Sequence, residues 1–327
     1  MDTSFVYAKM KQRLFVTIVA PTKKKIFFIE GMNRRKPMRY SAKFVKTVFK
    51  VINMKKLVGF TMVAPPKRRN LNARQLSRTD IPQVINQVDG HEVVTLFPAH
   101  PTNLHVFYLH GGGYALEASP FHKDIQERFV KRYNLKVSYF DYPLAPENTA
   151  DKTLPITEAA LRHLAALYPD DQFRLFGDSA GGGLAMSLAQ RLRDVKYEQR
   201  PKKIALASPW LDATLSDPRT DELQEKDVVL EKDLLSEAGE NYAGELPLDD
   251  PIVSPLFGRF DDLGELLVIA GTDEILYPDV LRLQERVVRS KNTTMTLEIV
   301  PGMMHDFVVY PLKESLRYID QMGEFFQ

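Results

Sequence analysis

The sequence predicts an α/β protein: a mostly parallel sheet with helices on both faces. Three observations carry that expectation. From about residue 104 onward, short apolar runs alternate with longer stretches of helical period, the signature of strands joined by crossover helices. Runs such as Leu266-Leu267-Val268-Ile269-Ala270 are continuously apolar rather than alternating, as suits strands buried on both faces. Finally, 327 residues at 44% hydrophobic content fit one large domain with a smaller cap better than two independent domains.

The elements follow in order. Residues 83–88 and 91–98 flank Asp89-Gly90, a strong hairpin signal, because both turn residues tolerate positive φ. Strands are then expected at 104–110, 135–140, 173–177, 203–208, 266–271 and 295–300. Helices are expected at 121–133, 152–168, 180–194, 278–290 and 312–325. The charged stretch 217–242 interrupts the alternation and is read as a cap segment, spanning 215–245 at its widest.

Before the hairpin the character changes. Residues 1–78 hold 20 Lys+Arg against only Asp2 and Glu30, a net of +18; residues 79–327 hold 24 basic against 40 acidic residues, a net of −16. The Pro-rich basic stretch at 65–70 therefore marks the boundary between an N-terminal arm, 1–78, and the main body, 79–327. The apolar run at 14–20 is too short to span a bilayer, and the lysines following it make a poor signal peptide. Residues 1–37 read as a loosely ordered extension or as sequence upstream of a start at Met38. Over 41–58, Phe44, Val48, Val51, Ile52 and Leu57 fall at helical spacing, with Lys43, Lys46, Lys50, Lys55 and Lys56 between them. That pattern admits a cap helix over the site, a basic amphipathic helix on an anionic membrane, or a solvated basic face. Nucleic acid is disfavoured, since the aromatics follow the apolar stripe and no binding motif is present.

The chemistry concentrates in a few places. Gly177-Asp178-Ser179-Ala180-Gly181 lies between a strand and a helix, where a serine can be held on a sharp turn with the helix N-terminus behind it. Alone, such a pattern arises by chance in about one chain in ten of this length. His110-Gly111-Gly112-Gly113 follows another strand, and its unhindered N–H groups suit an oxyanion hole. Asp273 and His305 each sit just past a strand end, where open α/β sheets place reacting groups. With no cysteine there are no disulfides, thiol catalysis or thiolate metal sites, which fits a reducing, cytoplasmic setting. The seven histidines lack metal-site spacing, and no nucleotide cradle is present.

From about Val84 onward the chain resembles the hormone-sensitive-lipase-like (family IV) carboxylesterases of the α/β-hydrolase superfamily. The resemblance rests on the serine turn, the glycine triplet, Asp141-Tyr142-Pro143-Leu144-Ala145-Pro146-Glu147, Ser208-Pro209-Trp210-Leu211-Asp212, Ser254-Pro255-Leu256-Phe257, Gly271-Thr272-Asp273 and His305-Asp306-Phe307. Glu274-Ile275 stands where the family has Pro-Leu, Asp306 where it has Gly, and Asn148-Thr149-Ala150 where a His-Pro-Phe type is common. The resemblance implies an α/β-hydrolase fold with a cap partly from the N-terminus and a Ser179–Asp273–His305 triad. It also implies oxyanion donors at Gly112, Gly113 and Ala180, with Gly111 shaping the loop, and Tyr114 as a substrate-lining residue. Asp178 is read as supporting the turn, and Glu274 as a weaker competitor for the acid because its offset from Gly271 fits the family less well.

The expected activity is hydrolysis of short- to medium-chain acyl esters through an acyl-enzyme, with no metal or organic cofactor. Deacetylation or amide hydrolysis on the same triad is the alternative; a ligand-binding receptor on an esterase fold is a third, which the presence of His305 opposes. Partners are a small ester substrate and, as the basic arm allows, an anionic membrane surface; the resemblance also allows a homodimer.

Overall fold

The computed structural model describes residues 39–67 and 79–327, and all of them fall in one compact unit, Arg39–Gln327. The extension expected at 1–37 with its apolar run at 14–20, and residues 68–78 from the boundary stretch onward, lie outside the described residues.

Among the described residues eight strands form one sheet: β1 (Gln83–Val88), β2 (His91–Leu96), β3 (Leu104–Leu109), β4 (Lys136–Phe140), β5 (Gln172–Asp178), β6 (Lys203–Ala207), β7 (Gly264–Asp273) and β8 (Thr293–Met304). They lie in the order β1-β2-β4-β3-β5-β6-β7-β8. β1 and β2 form the antiparallel hairpin, closed by Asp89 and Gly90 at φ of 50° and 80°. β2 also runs antiparallel to β4, and every later pairing is parallel. The central strands are buried on both faces, as their unbroken apolar runs predict: all five residues of β4 and the last five of β3 are buried.

Among the described residues five helices cover the sheet: α3 (Pro120–Tyr133), α4 (Ala150–Leu167), α5 (Ser179–Asp194), α8 (Tyr277–Val288) and α9 (Ser315–Phe325). α5 is the most enclosed, apolar or small along almost its whole length, and only a helix sandwiched between sheet and cover tolerates that composition. α3 begins with a capping box in which His122, rather than the usual acid or amide, returns a bond to the Ser119 backbone.

The cap has two parts. The first is α1 (Ala42–Val51) and α2 (Met54–Val63), where the sequence suggested one helix over 41–58. The break is at Asn53, whose left-handed backbone (φ 52°) turns the chain; asparagine is among the few residues that adopt this conformation readily. The second part is α6 (Arg219–Leu223) and α7 (Lys232–Ala243), within the segment expected from its charge. Gly59 of α2 lies flat against Leu234 of α7, so the two parts pack as one layer. α1 is tied to the body by the Ala42 N–H on Glu314 Oε1 at 3.2 Å and by an edge-on contact of Phe49 with Tyr310 at 5.1 Å.

Candidate active site

Ser179 opens α5 directly off the end of β5, with φ of 51°. A left-handed serine is strained, and it persists only where its surroundings over-determine it. Here the constraint is close packing: a Cβ on Gly177 would overlap the Gly181 carbonyl, and one on Gly181 would overlap the Leu109 carbonyl of β3. The turn therefore closes only with glycine at both positions. The Trp210 N–H donates to the Ser179 carbonyl at 2.9 Å, pinning the serine backbone from the neighbouring strand end.

The Ser179 hydroxyl donates to His305 Nε2 at 2.9 Å, and His305 Nδ1 donates to a carboxylate at 2.6 Å. That carboxylate belongs to Glu274, which corrects the expectation that Asp273 would face the histidine. Asp273 instead turns outward and pairs with Lys46 of α1. The cause lies in the strand end: the β7–β8 register shifts between Gly271 and Asp273, and successive side chains there face opposite ways, so only one of the two acids points inward. Glu274 is fully buried, and both its oxygens are used: Oε2 on His305, Oε1 accepting the Gly271 N–H at 2.7 Å and the Ser208 hydroxyl at 3.0 Å. Ser208 in turn accepts the Asp306 N–H at 3.1 Å, tying the acid and histidine loops together. An acceptor on Nδ1 fixes the ring proton there and leaves the Nε2 lone pair for the serine.

The glycine loop lies opposite. The N–H of Gly111 is occupied, donating to Asp178 Oδ2 at 2.8 Å, so Gly111 shapes the loop and is not a free donor. Among the described residues the N–H groups of Gly112 and Gly113 have no acceptor, and the Ala180 N–H is one of the open donors of the first turn of α5. The loop is braced by the 141–147 segment: Tyr142 donates to the His110 carbonyl at 2.7 Å and stacks on its ring at 4.5 Å.

Asp178 points away from the serine and gathers the supporting network. It accepts from Tyr108 at 2.7 Å, from Gly111, and from His122 Nε2 at 3.2 Å. Burial opposes its charge, but His122 and these donors hold its carboxyl below the ordinary range. Its neighbour Asp306 behaves oppositely. Burial, then the Asp178 charge and the bond to it, push Asp306 well above the usual carboxylate range, so the proton stays on Asp306, which donates a hydrogen bond to Asp178. Asp306 Oδ1 is buried without a partner among the described residues. His122, Asp178 and Asp306 also bring possible metal-ligand atoms within 4.8 Å of one another. However, His122 Nδ1 accepts the Ser119 N–H at 2.8 Å, so Nε2 carries the ring proton and offers no lone pair. A shared proton fits this cluster better than a cation.

The cap closes the site from above. Ser179 is only 7% exposed and His305 3%. Met62 of α2 sits against Gly113, in the space a Cβ there would fill. Tyr114, expected to line the substrate pocket, is 1% exposed and lies face to face with Tyr242 of α7 at 3.6 Å and beside Trp210. Its ring is thus packing between loop and cap. From the second cap part, Asp227 Oδ2 accepts the Ile275 N–H at 2.9 Å, one residue beyond Glu274. Burial raises Asp227 to about 6, against the opposing pull of His305 and of the backbone donors of Leu230, Val229 and Ile275. Glu274 was legible only as a rival to Asp273. Lys46, Met62 and Asp227 carry no local signal, because each acts through a contact made by the folded cap.

A mostly parallel sheet carrying a strained serine turn after a central strand, with an acid beyond β7 and a histidine beyond β8, defines the α/β-hydrolase class. A family profile for the alpha/beta hydrolase fold matches residues 106–309. The chain belongs to that family, on its hormone-sensitive-lipase-like esterase branch. An esterase of Acinetobacter venetianus is 30% identical over 210 residues, 63% of this chain and 68% of the relative. An acetyl-hydrolase of Streptomyces hygroscopicus is 29% identical over 231 residues, 70% of this chain and 77% of the relative. A solved esterase of the bacterial hormone-sensitive lipase family aligns with a TM-score of 0.71 at 27% identity, covering 84% of this chain and 97% of that one.

Proposed function

We propose that this protein is a serine carboxylic-ester hydrolase working through Ser179, His305 and Glu274. The observation that carries the reading is the hydrogen-bonded line from the Ser179 hydroxyl through His305 to Glu274. His305 takes the serine proton as the oxygen attacks the ester carbonyl, and Glu274 stabilises the imidazolium that forms. The oxyanion falls to the open N–H groups of Gly112, Gly113 and Ala180, each worth on the order of 3 kcal/mol in a related geometry. The alcohol leaves with the proton from His305, and water repeats the cycle to release the acid.

Acyl groups of short to medium length suit the site best. Met62 lies over Gly113, and the Tyr114–Tyr242–Trp210 stack fills the space beside the loop, which leaves little room for a long chain. The test is a series of chromogenic esters from acetyl to lauroyl, with matched anilides alongside. The expected result is a burst of product, a rate maximum in the short half of the series, and esters far faster than amides. Ser179→Ala should abolish the burst and fluorophosphonate labelling; full activity in that variant would overturn the assignment.

A further inference from the structure

α1 presents two unlike faces. Its inner side packs Val45 and Phe49 on the core and sends Lys46 to Asp273. On its outer side Lys43, Phe44, Thr47, Lys50 and Val51 fall together at 100° per residue, with Phe44 47% and Val51 80% exposed. On α2, Lys56 and Phe60 lie one turn apart and both are exposed, Phe60 by 60%. Lys43, Lys46 and Lys50 also line, with Lys226 opposite, a cleft of about 530 Å³. Its acids are Glu225 and Asp273, and Lys46 already neutralises Asp273. Residues 39–67 contain seven Lys+Arg and no Asp or Glu, so α1 and α2 have no acid of their own to satisfy these lysines.

Two demands meet on this face. The lysines call for fixed negative charge, and the protruding Phe44, Val51 and Phe60 call for removal from water. A nucleic acid answers only the first and an apolar groove only the second. We propose that the outer face of α1 and α2 docks the protein on an anionic lipid bilayer. Headgroup phosphates take Lys43, Lys50 and Lys56, while the three apolar side chains enter the interfacial region beneath the lysine stems. The charge asymmetry fixes the orientation: residues 79–327, with 40 acidic against 24 basic residues, are repelled by the same surface.

The test is co-sedimentation of the full-length protein with vesicles, a readout independent of the ester-hydrolase reading. Vesicles of phosphatidylcholine with about one third phosphatidylglycerol should bind the protein, pure phosphatidylcholine should not, and high salt should release it. At roughly fivefold per lysine, Lys43→Glu with Lys50→Glu should weaken partitioning by about 25-fold or more. Phe44→Ser with Val51→Ser and Phe60→Ser should weaken it about tenfold, with the preference for anionic lipid kept. Hydrolysis of a soluble short-chain ester should stay at the wild-type rate in both variants, which shows that they fold. Equal binding to neutral vesicles, no binding to anionic ones, or wild-type binding by the lysine variant would overturn the proposal. So would tighter binding to duplex DNA than to vesicles. A fall from dimer to monomer in the Phe44 variant would also overturn it, marking the face as a self-association surface.

Discussion

The serine turn and the acid turn stand at the ends of two strands of one sheet, β5 and β7, with β6 between them, yet they are held in place by opposite means. At Ser179 the backbone leaves no choice: Gly177 and Gly181 press on carbonyls that any side chain would strike. At 271–275 the backbone accepts either acid, and the outcome follows from which way the shifted strand end points and from two partners distant in sequence, Lys46 and Asp227. A site made by steric exclusion tolerates almost no substitution. One made by hydrogen-bond selection can be re-aimed by single residues.

Exchanging the two acids one at a time separates their roles most strongly. Glu274→Gln should lower kcat by on the order of 10⁴, because an amide no longer fixes the ring tautomer. Asp273→Asn should cost at most about fivefold, since it loses only a partly exposed ion pair. Equal losses from the two, measured by steady-state kinetics, would mean that Asp273 takes the histidine during turnover.

The serine turn is tested by bulk. Gly181→Ala sets a methyl group on the Leu109 carbonyl and should destabilise the fold by about 3 kcal/mol, read as a fall in the urea midpoint. Behind the turn, Asp178→Asn weakens the hold on Gly111 and should lower kcat by roughly a hundredfold, with KM little changed.

Asp306 gives a pH test with a definite sign. Its carboxyl is raised by burial and by Asp178, so the folded state holds a proton that the unfolded chain releases. The stability linked to that proton is present at low pH and declines as pH climbs above the unfolded carboxylate value toward the raised folded one. Asp306→Asn can still donate to Asp178 and has no proton to lose. Its melting temperature should gain on that of the wild type as pH rises from acid to alkaline, and a constant difference would refute the protonated assignment. The smallest effect belongs to Lys46→Met, where a part-exposed pair should cost no more than about 1 kcal/mol.

These contrasts also explain what could be read in advance. Strands and helices of the body were legible because burial on both faces forces unbroken apolar runs, and the hairpin because Asp89-Gly90 meets the demand for positive φ. Ser179 and His305 were legible from their places beside strand ends. The acid was misread because neighbouring carboxylates look alike until a register shift decides between them. Tyr114 was misread because its place next to the glycines says nothing of the Tyr242 ring that α7 lays over it. The break at Asn53 was hidden by lysines and apolar residues that keep nearly the same phase across two helices.

Asp227 lies in the cap, between α6 and α7, yet its carboxylate fastens the peptide just past Glu274. The cap and the turn that holds Glu274 against His305 are therefore physically joined. A cap transplanted from a relative would have to bring an equivalent carboxylate, or the graft would loosen the turn that holds Glu274 against His305. Cap exchange in this scaffold is thus a two-variable problem, and retaining Asp227 separates the variables.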